Sequence, residues 1–228
     1  SSCPHLKKRS PNNPSGGFPP NDKGKGEKAM YYKVTHLTLR IKPIAEVNRE
    51  EFFRRILKFL GLYEYRNKFV NTGGNKQYFS TAKYKGIYIK LPFYETMQGV
   101  GFIVEITKQG FDFFNGDSDF NQRIFFNSLL DNLTHFSDVL ITRIDIESDY
   151  IPPHIQELIP SSYKNSNSTV YIGSRKSRIQ GMYINKIFTY KFLEAVAEPI
   201  IDGLLCDDFE EFKCSLAVFL DNWQPHYI

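Results

Sequence analysis

The segment 138–149 alternates between polar and apolar side chains, and this period of two predicts a β-strand with one buried face. The polar side of the strand carries Arg143, Asp145 and Glu147. Two carboxylates two residues apart can share a metal ion, and crowding them without a cation costs free energy. The alternative is an ion-pair network in which Arg143 and lysine side chains neutralise the two acids. Both interpretations place a cluster of charges on one face of a sheet.

The composition is typical of a globular protein. With 228 residues, 41% hydrophobic and 24% charged, the chain can form one large domain or two small ones. No run approaches 18 apolar residues, and the N-terminus lacks the apolar core of a signal peptide, so neither a transmembrane helix nor secretion is predicted. The three cysteines, Cys3, Cys206 and Cys214, are odd in number and lack metal-ligand spacing. We therefore expect a cytoplasmic protein without disulfides or contact with a membrane.

Charge is distributed unevenly along the chain. Residues 161–192 contain no acid and carry six basic side chains, Lys164, Arg175, Lys176, Arg178, Lys186 and Lys191. Such a stretch predicts a phosphate-binding track, with a solvated basic hairpin as the alternative.

Residues 1–29 are rich in Pro, Gly and basic side chains and almost devoid of large apolar ones, which predicts a disordered basic tail. The remainder, 30–228, is predicted to form one domain of mixed helices and strands.

His36 has no second histidine nearby, so we interpret it as an ordinary strand residue rather than a metal ligand or a base. Strands are predicted over 30–41, 65–70, 77–81, 86–91, 100–107, 138–149, 169–174 and 181–185. A first helix is predicted to begin after Asn48, which has Glu51 three residues on as in a capping box, and to end at 60. Further helices are predicted over 118–136, from about 190 onward, and from 207 to the C-terminal region.

The chain also contains a weak internal repeat, with halves of about 30–137 and 138–228. Residues 37–41 match 140–144 in character, and 86–90 match 181–185. This predicts an α+β fold of two pseudo-repeated halves whose antiparallel sheets are flanked by helices. In this alignment Lys42 matches Asp145, so the second half would carry the chemistry and the first half would serve as scaffold.

Three motifs of the second half resemble one known family. They are Thr-Arg-Ile-Asp-Ile-Glu at 142–147, Val-Tyr-Ile-Gly-Ser-Arg-Lys-Ser at 170–177, and Tyr-Ile-Asn-Lys at 183–186. The chain is similar here to the Rep_trans-type replication initiators and relaxases of plasmids, phages and integrative elements. That resemblance spans most of the chain, from about Val34 to Trp223.

The resemblance implies an enzyme that nicks and rejoins one DNA strand at an origin of replication through a phosphotyrosine intermediate. The nucleophile would be Tyr183, with Tyr190 as the second candidate. Mg²⁺ or Mn²⁺ would be held by Asp145, Glu147 and Glu194. The DNA, single-stranded or cruciform, would be bound by Arg143, Tyr171, Ser174, Arg175, Lys176, Arg178 and Lys186. A host helicase and a second copy of the chain stay open as further partners.

One departure from the family keeps other functions open. The family's tyrosine directly precedes Asn-Lys, and Ile184 occupies that position here. Tyr183 comes one residue earlier, and on a strand a shift of one residue turns the side chain to the other face unless a β-bulge corrects it. The alternatives are therefore a catalytically degenerate relative that binds DNA, or an unrelated nucleic-acid-binding α+β module.

Overall fold

The computed structural model describes residues 31–116, 121–163, 169–174, 177–184, 187–193, 196–205 and 209–225. The fold is α+β, as predicted. Nine strands form one antiparallel sheet in the order β2-β3-β4-β5-β1-β6-β9-β8-β7. The strands are β1 (Tyr32–Pro43), β2 (Val70–Gly73), β3 (Tyr78–Tyr84), β4 (Ile87–Pro92), β5 (Phe102–Ile106), β6 (Ser137–Ser148), β7 (Val170–Ile172), β8 (Ile179–Ile184) and β9 (Ile187–Leu193). The helices are α1 (Arg49–Phe59), α2 (Met97–Val100), α3 (Lys108–Asn115), α4 (Gln122–Thr134), α5 (Pro153–Glu157), α6 (Ala197–Leu205) and α7 (Phe209–Asp221).

The main helices cover one face of the sheet, which we call the covered face. Helix α1 begins where the Asn48 side chain accepts hydrogen bonds from two backbone N–H groups of the first turn, at 2.9 and 3.2 Å. Its apolar stripe packs on the sheet, with the Phe52 and Phe102 rings 4.9 Å apart. Helices α4, α6 and α7 add further core residues, among them Leu133, Ile201 and Leu220. The hydrophobic core therefore lies between this face and the helices.

The opposite face, which we call the open face, carries polar side chains that are mostly half-exposed. Along the central pair of strands its residues include His36 opposite Asp145 and Thr38 opposite Arg143. The strand predicted at 138–149 is β6, and its charged side chains lie on this face.

Strands β1 and β6, twelve residues each, pair at the centre of the sheet. Each contains one bulged residue, Thr35 in β1 and Thr142 in β6. Between the two bulges, Leu37 pairs directly with Ile144. The strands on either side follow in matching order, β5-β4-β3 beside β1 and β9-β8-β7 beside β6. The ladder therefore has an approximate two-fold axis between Leu37 and Ile144.

The strand registers correct the residue matches that were inferred from sequence. Leu37 aligns across the ladder with Ile106 and then Ile87, and Ile144 aligns in the same way with Phe192 and then Ile179. Leu37 is therefore the counterpart of Ile144, and one strand position further on the counterparts are Thr38 and Asp145. The proposed match of Lys42 with Asp145 is wrong, because short apolar segments align almost equally well in several registers. The division into two halves stays an interpretation.

Two predicted elements are also wrong. The segment predicted as a strand at 65–70 is mainly a 3-10 helix, Tyr63–Lys68, which stacks Tyr65 against Tyr84 at 5.6 Å. The segment predicted to turn helical at Tyr190 is strand β9 as far as Leu193. The tail 1–29 lies outside the described residues. Within the described ranges, no helix is long and apolar enough to cross a membrane.

Candidate nucleic-acid interface

Four side chains surround the two-fold axis on the open face. The guanidinium of Arg143 donates two hydrogen bonds to the Asp145 carboxylate, from Nε to Oδ1 at 2.8 Å and from Nη2 to Oδ2 at 2.5 Å. At the equivalent positions of β1, His36 Nε2 lies 3.1 Å from the Thr38 hydroxyl. The same i,i+2 contact is thus made on both central strands, by a charged pair on β6 and a neutral pair on β1.

Burial and positive charge determine the protonation state at this centre. Desolvation is the main cause that lowers the pKa of His36 below 6.5, and the charge of Arg143 adds to it. Desolvation also lowers the pKa of Lys191, which pairs with Asp145 from β9, and Arg143 again contributes. Glu105 lies 3.5 Å from His36 Nε2. Because its pKa is below 6.5, the imidazole is neutral at pH 7, and this centre contains two basic side chains, Arg143 and Lys191, and two acidic ones, Asp145 and Glu105.

Glu147 has a separate cation. Its Oε1 accepts a hydrogen bond from Lys108 Nζ at 2.6 Å, and this bond is the main cause that raises the pKa of Lys108. The ion-pair network that the sequence left as an alternative is thus the arrangement of Asp145 and Glu147 in the structure.

The predicted metal ligands can be compared with this geometry. A hard divalent cation binds through carboxylate oxygens, and Arg143 already occupies both oxygens of Asp145. Glu194, the third predicted ligand, lies outside the described residues. In the part of the chain that is described, no three His, Cys, Asp or Glu residues are grouped to hold a metal. As arranged, Asp145 and Glu147 do not fit a shared cation, and the metal site stays a prediction from the sequence.

Both predicted nucleophiles lie on the covered face. Tyr190 is fully buried, its ring is 4.5 Å from that of Phe188, and its hydroxyl donates a hydrogen bond to the Tyr150 carbonyl oxygen at 2.8 Å. Burial is the main cause that raises the pKa of this phenol. Tyr183 is 5% exposed and also belongs to the core.

The bulge that would bring Tyr183 to the open face is absent from β8. Strands β8 and β9 pair in unbroken register from Ile179 opposite Phe192 to Ile184 opposite Ile187. Ile184, at the family's tyrosine position, consequently faces the open side, on which Asp145 also lies. The two predicted tyrosines and the predicted metal ligand Asp145 are thus on opposite faces of one sheet.

The predicted DNA contacts have varied positions. Tyr171 on β7 is 74% exposed and lies on the open face, and Arg178, just before β8, is also exposed. Ser174 follows β7 and is half-buried. Arg175, Lys176 and Lys186 lie outside the described residues, and Arg143 is bound to Asp145.

With this geometry in view, one solved structure is informative. The fold is similar to that of a rolling-circle replication initiator. The structure of the Rolling Circle Replication Initiator Protein from Geobacillus stearothermophilus aligns with 78% of this chain and with 79% of its own, at a TM-score of 0.53 and 17% sequence identity. No protein-family model and no curated protein sequence matches the chain. At this identity the similarity concerns the fold.

Sequence reasoning did not place three side chains at the centre of the open face: Thr38 and Glu105 were not singled out, and His36 was interpreted as an ordinary strand residue. The alternation of β1 and β5 was sufficient to place each of them on a strand face. It did not tell which strand would pair with β6, because the pairing of β1 with β6 joins distant parts of the chain.

Proposed function

We propose that this chain is a DNA-binding protein of replication initiation and that it holds DNA on the open face of its sheet. The observation that carries the proposal is the fold, which aligns over most of both chains with a protein named as a replication initiator. Two further observations support it: the motif at 170–177, and a sheet face that no described helix covers and that carries the basic side chains of Arg143 and Lys191 near its centre.

Contacts to DNA follow from what the open face presents. Tyr171 offers an exposed ring on which an unpaired base can stack, and Arg178 and Ser174 lie at the same end of the sheet as phosphate contacts. The bidentate pair of Arg143 with Asp145 keeps the acid from repelling the phosphate backbone. Because Arg143 neutralises Asp145 at the two-fold axis, the open face can accept the phosphate backbone of DNA there.

Nicking and rejoining of the strand is the second candidate, favoured by the sequence motifs. In this reaction the oxygen of Tyr183 or Tyr190 would bond to phosphorus, and the 3′-oxygen of the cleaved strand would leave as a hydroxyl. The buried positions of both phenols oppose it, as does the salt bridge of Asp145. We therefore rank DNA binding without cleavage, by a degenerate relative of the initiators, above the nickase.

Both candidates are tested by incubating the chain with labelled single strands from the element that encodes it, with and without Mn²⁺. Binding is measured by fluorescence anisotropy and covalent adducts on a denaturing gel. We expect binding that weakens with salt and no adduct. An adduct that disappears in Tyr183→Phe and Asp145→Ala would establish the nickase with Tyr183 as its nucleophile. An adduct that disappears in Tyr190→Phe instead would identify Tyr190 as the nucleophile. Absence of binding at low salt would overturn both candidates.

A further inference from the structure

Four side chains on the open face of the first half form a surface that the sequence motifs do not assign. They are Arg40 on β1, Lys83 on β3, and Tyr88 and Lys90 on β4. Tyr88 pairs directly with Lys83, and Lys90 pairs with Ile103, which in turn pairs with Arg40. Directly paired residues point to the same side of a sheet. The four therefore share one face, and we call them the first-half track.

Two charges of this track, those of Arg40 and Lys83, are available for a ligand, and the third, that of Lys90, is shared with one acid. Glu105 is the acid within the same rows, and it lies 4.0 Å from Lys90 and 3.5 Å from His36. Among the described residues, no ion pair within 4.0 Å and no side-chain hydrogen bond holds Lys83 or Arg40. Lys83 is exposed, and Arg40, Tyr88 and Lys90 are half-exposed. Three cations and one aromatic ring thus face solvent around a single acid.

The track belongs to the first half alone. By the ladder registers, the second-half counterparts of Tyr88 and Lys90 are Gln180 and Met182. The counterpart of Arg40 is Glu147, which is paired with Lys108. The half that the sequence interpretation treated as scaffold therefore has the more basic open face among the described residues.

The geometry suits a single strand better than a duplex. Neighbouring strands lie about 4.8 Å apart, and residues two apart on one strand lie about 7 Å apart, so the side chains spread over several nucleotides. A half-exposed tyrosine beside lysines can stack on a base only when that base is unpaired. In a duplex the bases are already stacked, and only the cations would contribute.

We propose that the first-half track binds single-stranded DNA, with Arg40, Lys83 and Lys90 contacting phosphates and Tyr88 stacking on a base. This inference rests on the proposed function. It adds that the bound DNA is single-stranded and that it binds on the first half of the sheet. The single strand would cross the first half of the sheet and continue over the axis toward Tyr171.

The test is the affinity of the full chain for a labelled oligothymidylate of about 20 nucleotides, measured over a range of salt concentrations. The triple variant Arg40→Ala/Lys83→Ala/Lys90→Ala is expected to weaken binding about tenfold or more and to reduce the salt slope by about 2, since each phosphate contact contributes about 0.7. Tyr88→Ala is expected to weaken binding at least fivefold with an unchanged salt slope, and Tyr88→Phe to retain it. Arg54→Ala is the matched control, because Arg54 is exposed on α1, which packs against the covered face.

Three results would overturn the inference. If the triple variant keeps wild-type affinity while Arg178→Ala weakens it, DNA binding stands and the first-half track is wrong. If Arg54→Ala, which removes one charge, weakens binding as much per charge as the triple variant does, the effect is one of net charge rather than of this surface. If a duplex binds as tightly as the single strand and Tyr88→Ala has no effect, the assignment to single strands is wrong. A wild-type chain that binds no DNA would instead refute the proposed function itself.

Discussion

Removal of Arg143 is the perturbation whose effect follows most directly from the structure. Asp145 is 7% exposed, and its carboxylate accepts both of its described hydrogen bonds from this guanidinium. Loss of one partner of a buried pair typically costs about 3–5 kcal/mol, because the other charge stays buried without compensation. The side chain of Arg143 is 31% exposed, so solvent already screens the pair in part. We expect Arg143→Ala to lower the free energy of unfolding by about 2–3 kcal/mol.

The assay is urea unfolding at pH 7 of the wild type, the two single variants and the double variant Arg143→Ala/Asp145→Ala. Removing the acid together with its partner leaves no buried charge, so the double variant should be no less stable than Arg143→Ala. The coupling energy of the cycle should be about 1–3 kcal/mol. Lys108→Ala is the control, because the pair that it breaks has an exposed lysine and should contribute at most about 1 kcal/mol.

Additive losses in this cycle would refute the reasoning, since they would mean that Asp145 does not depend on Arg143. An increase in the melting temperature on addition of Mn²⁺ that is seen in the wild type and disappears in Asp145→Ala would refute it in a second way. Ligands that bind the folded state raise its stability, so such a shift would mean that a metal competes successfully for the carboxylate.

Three other changes have clear expected outcomes. Burial lowers the pKa of His36 in the folded chain. As pH falls through about 6.5, the unfolded chain therefore binds a proton at His36 before the folded chain does. The free energy of unfolding should then decline below that pH by at most about 1.4 kcal/mol per pH unit. His36→Gln should lack this decline in urea titrations at about pH 7.5 and 5.5, and an unchanged slope would contradict the assignment. Gly181→Ala should destabilise the fold by about 1–3 kcal/mol, because the added Cβ would lie 2.2 Å from Phe188 Cζ; an unaltered melting temperature would mean that Gly181 does not face this ring. Tyr190→Phe should cost about 1–2 kcal/mol in urea unfolding, because it leaves the Tyr150 carbonyl oxygen without its donor, and it should leave DNA affinity unchanged; full stability would contradict the buried hydrogen bond.

Local patterns were sufficient for part of the fold. Alternation identified β6 and the face that carries Asp145, and the capping box at Asn48 identified the start of α1. The strand β9 was missed because it is followed closely by helix α6, so that strand and helix residues fall within one short window. Its inward aromatic residues, such as Tyr190, fit a buried strand and a buried helix equally well.

The candidate site was harder to predict, because its geometry depends on pairing between distant segments. Sequence alone indicated that Tyr183 and Ile184 must point to opposite faces. Whether a bulge reverses them depends on hydrogen bonding to β9, and the regular β8–β9 ladder decides this. Likewise, the partner of Asp145 could be a metal or Arg143, and only the side-chain geometry distinguishes the two.

The central pairing of β1 with β6 has a consequence for how the chain can fold. Leu37 and Ile144 are partners although 107 positions separate them, so the sheet cannot close until both halves have been synthesised. Before closure, each half presents a twelve-residue strand with unpaired backbone groups, which is a template for aggregation or for exchange with another copy. In the finished sheet the outer strands are β2 and β7, of four and three residues. The native topology thus buries its two longest strands and leaves its two shortest at the edges, so the risk of misassociation is confined to the time before the halves meet.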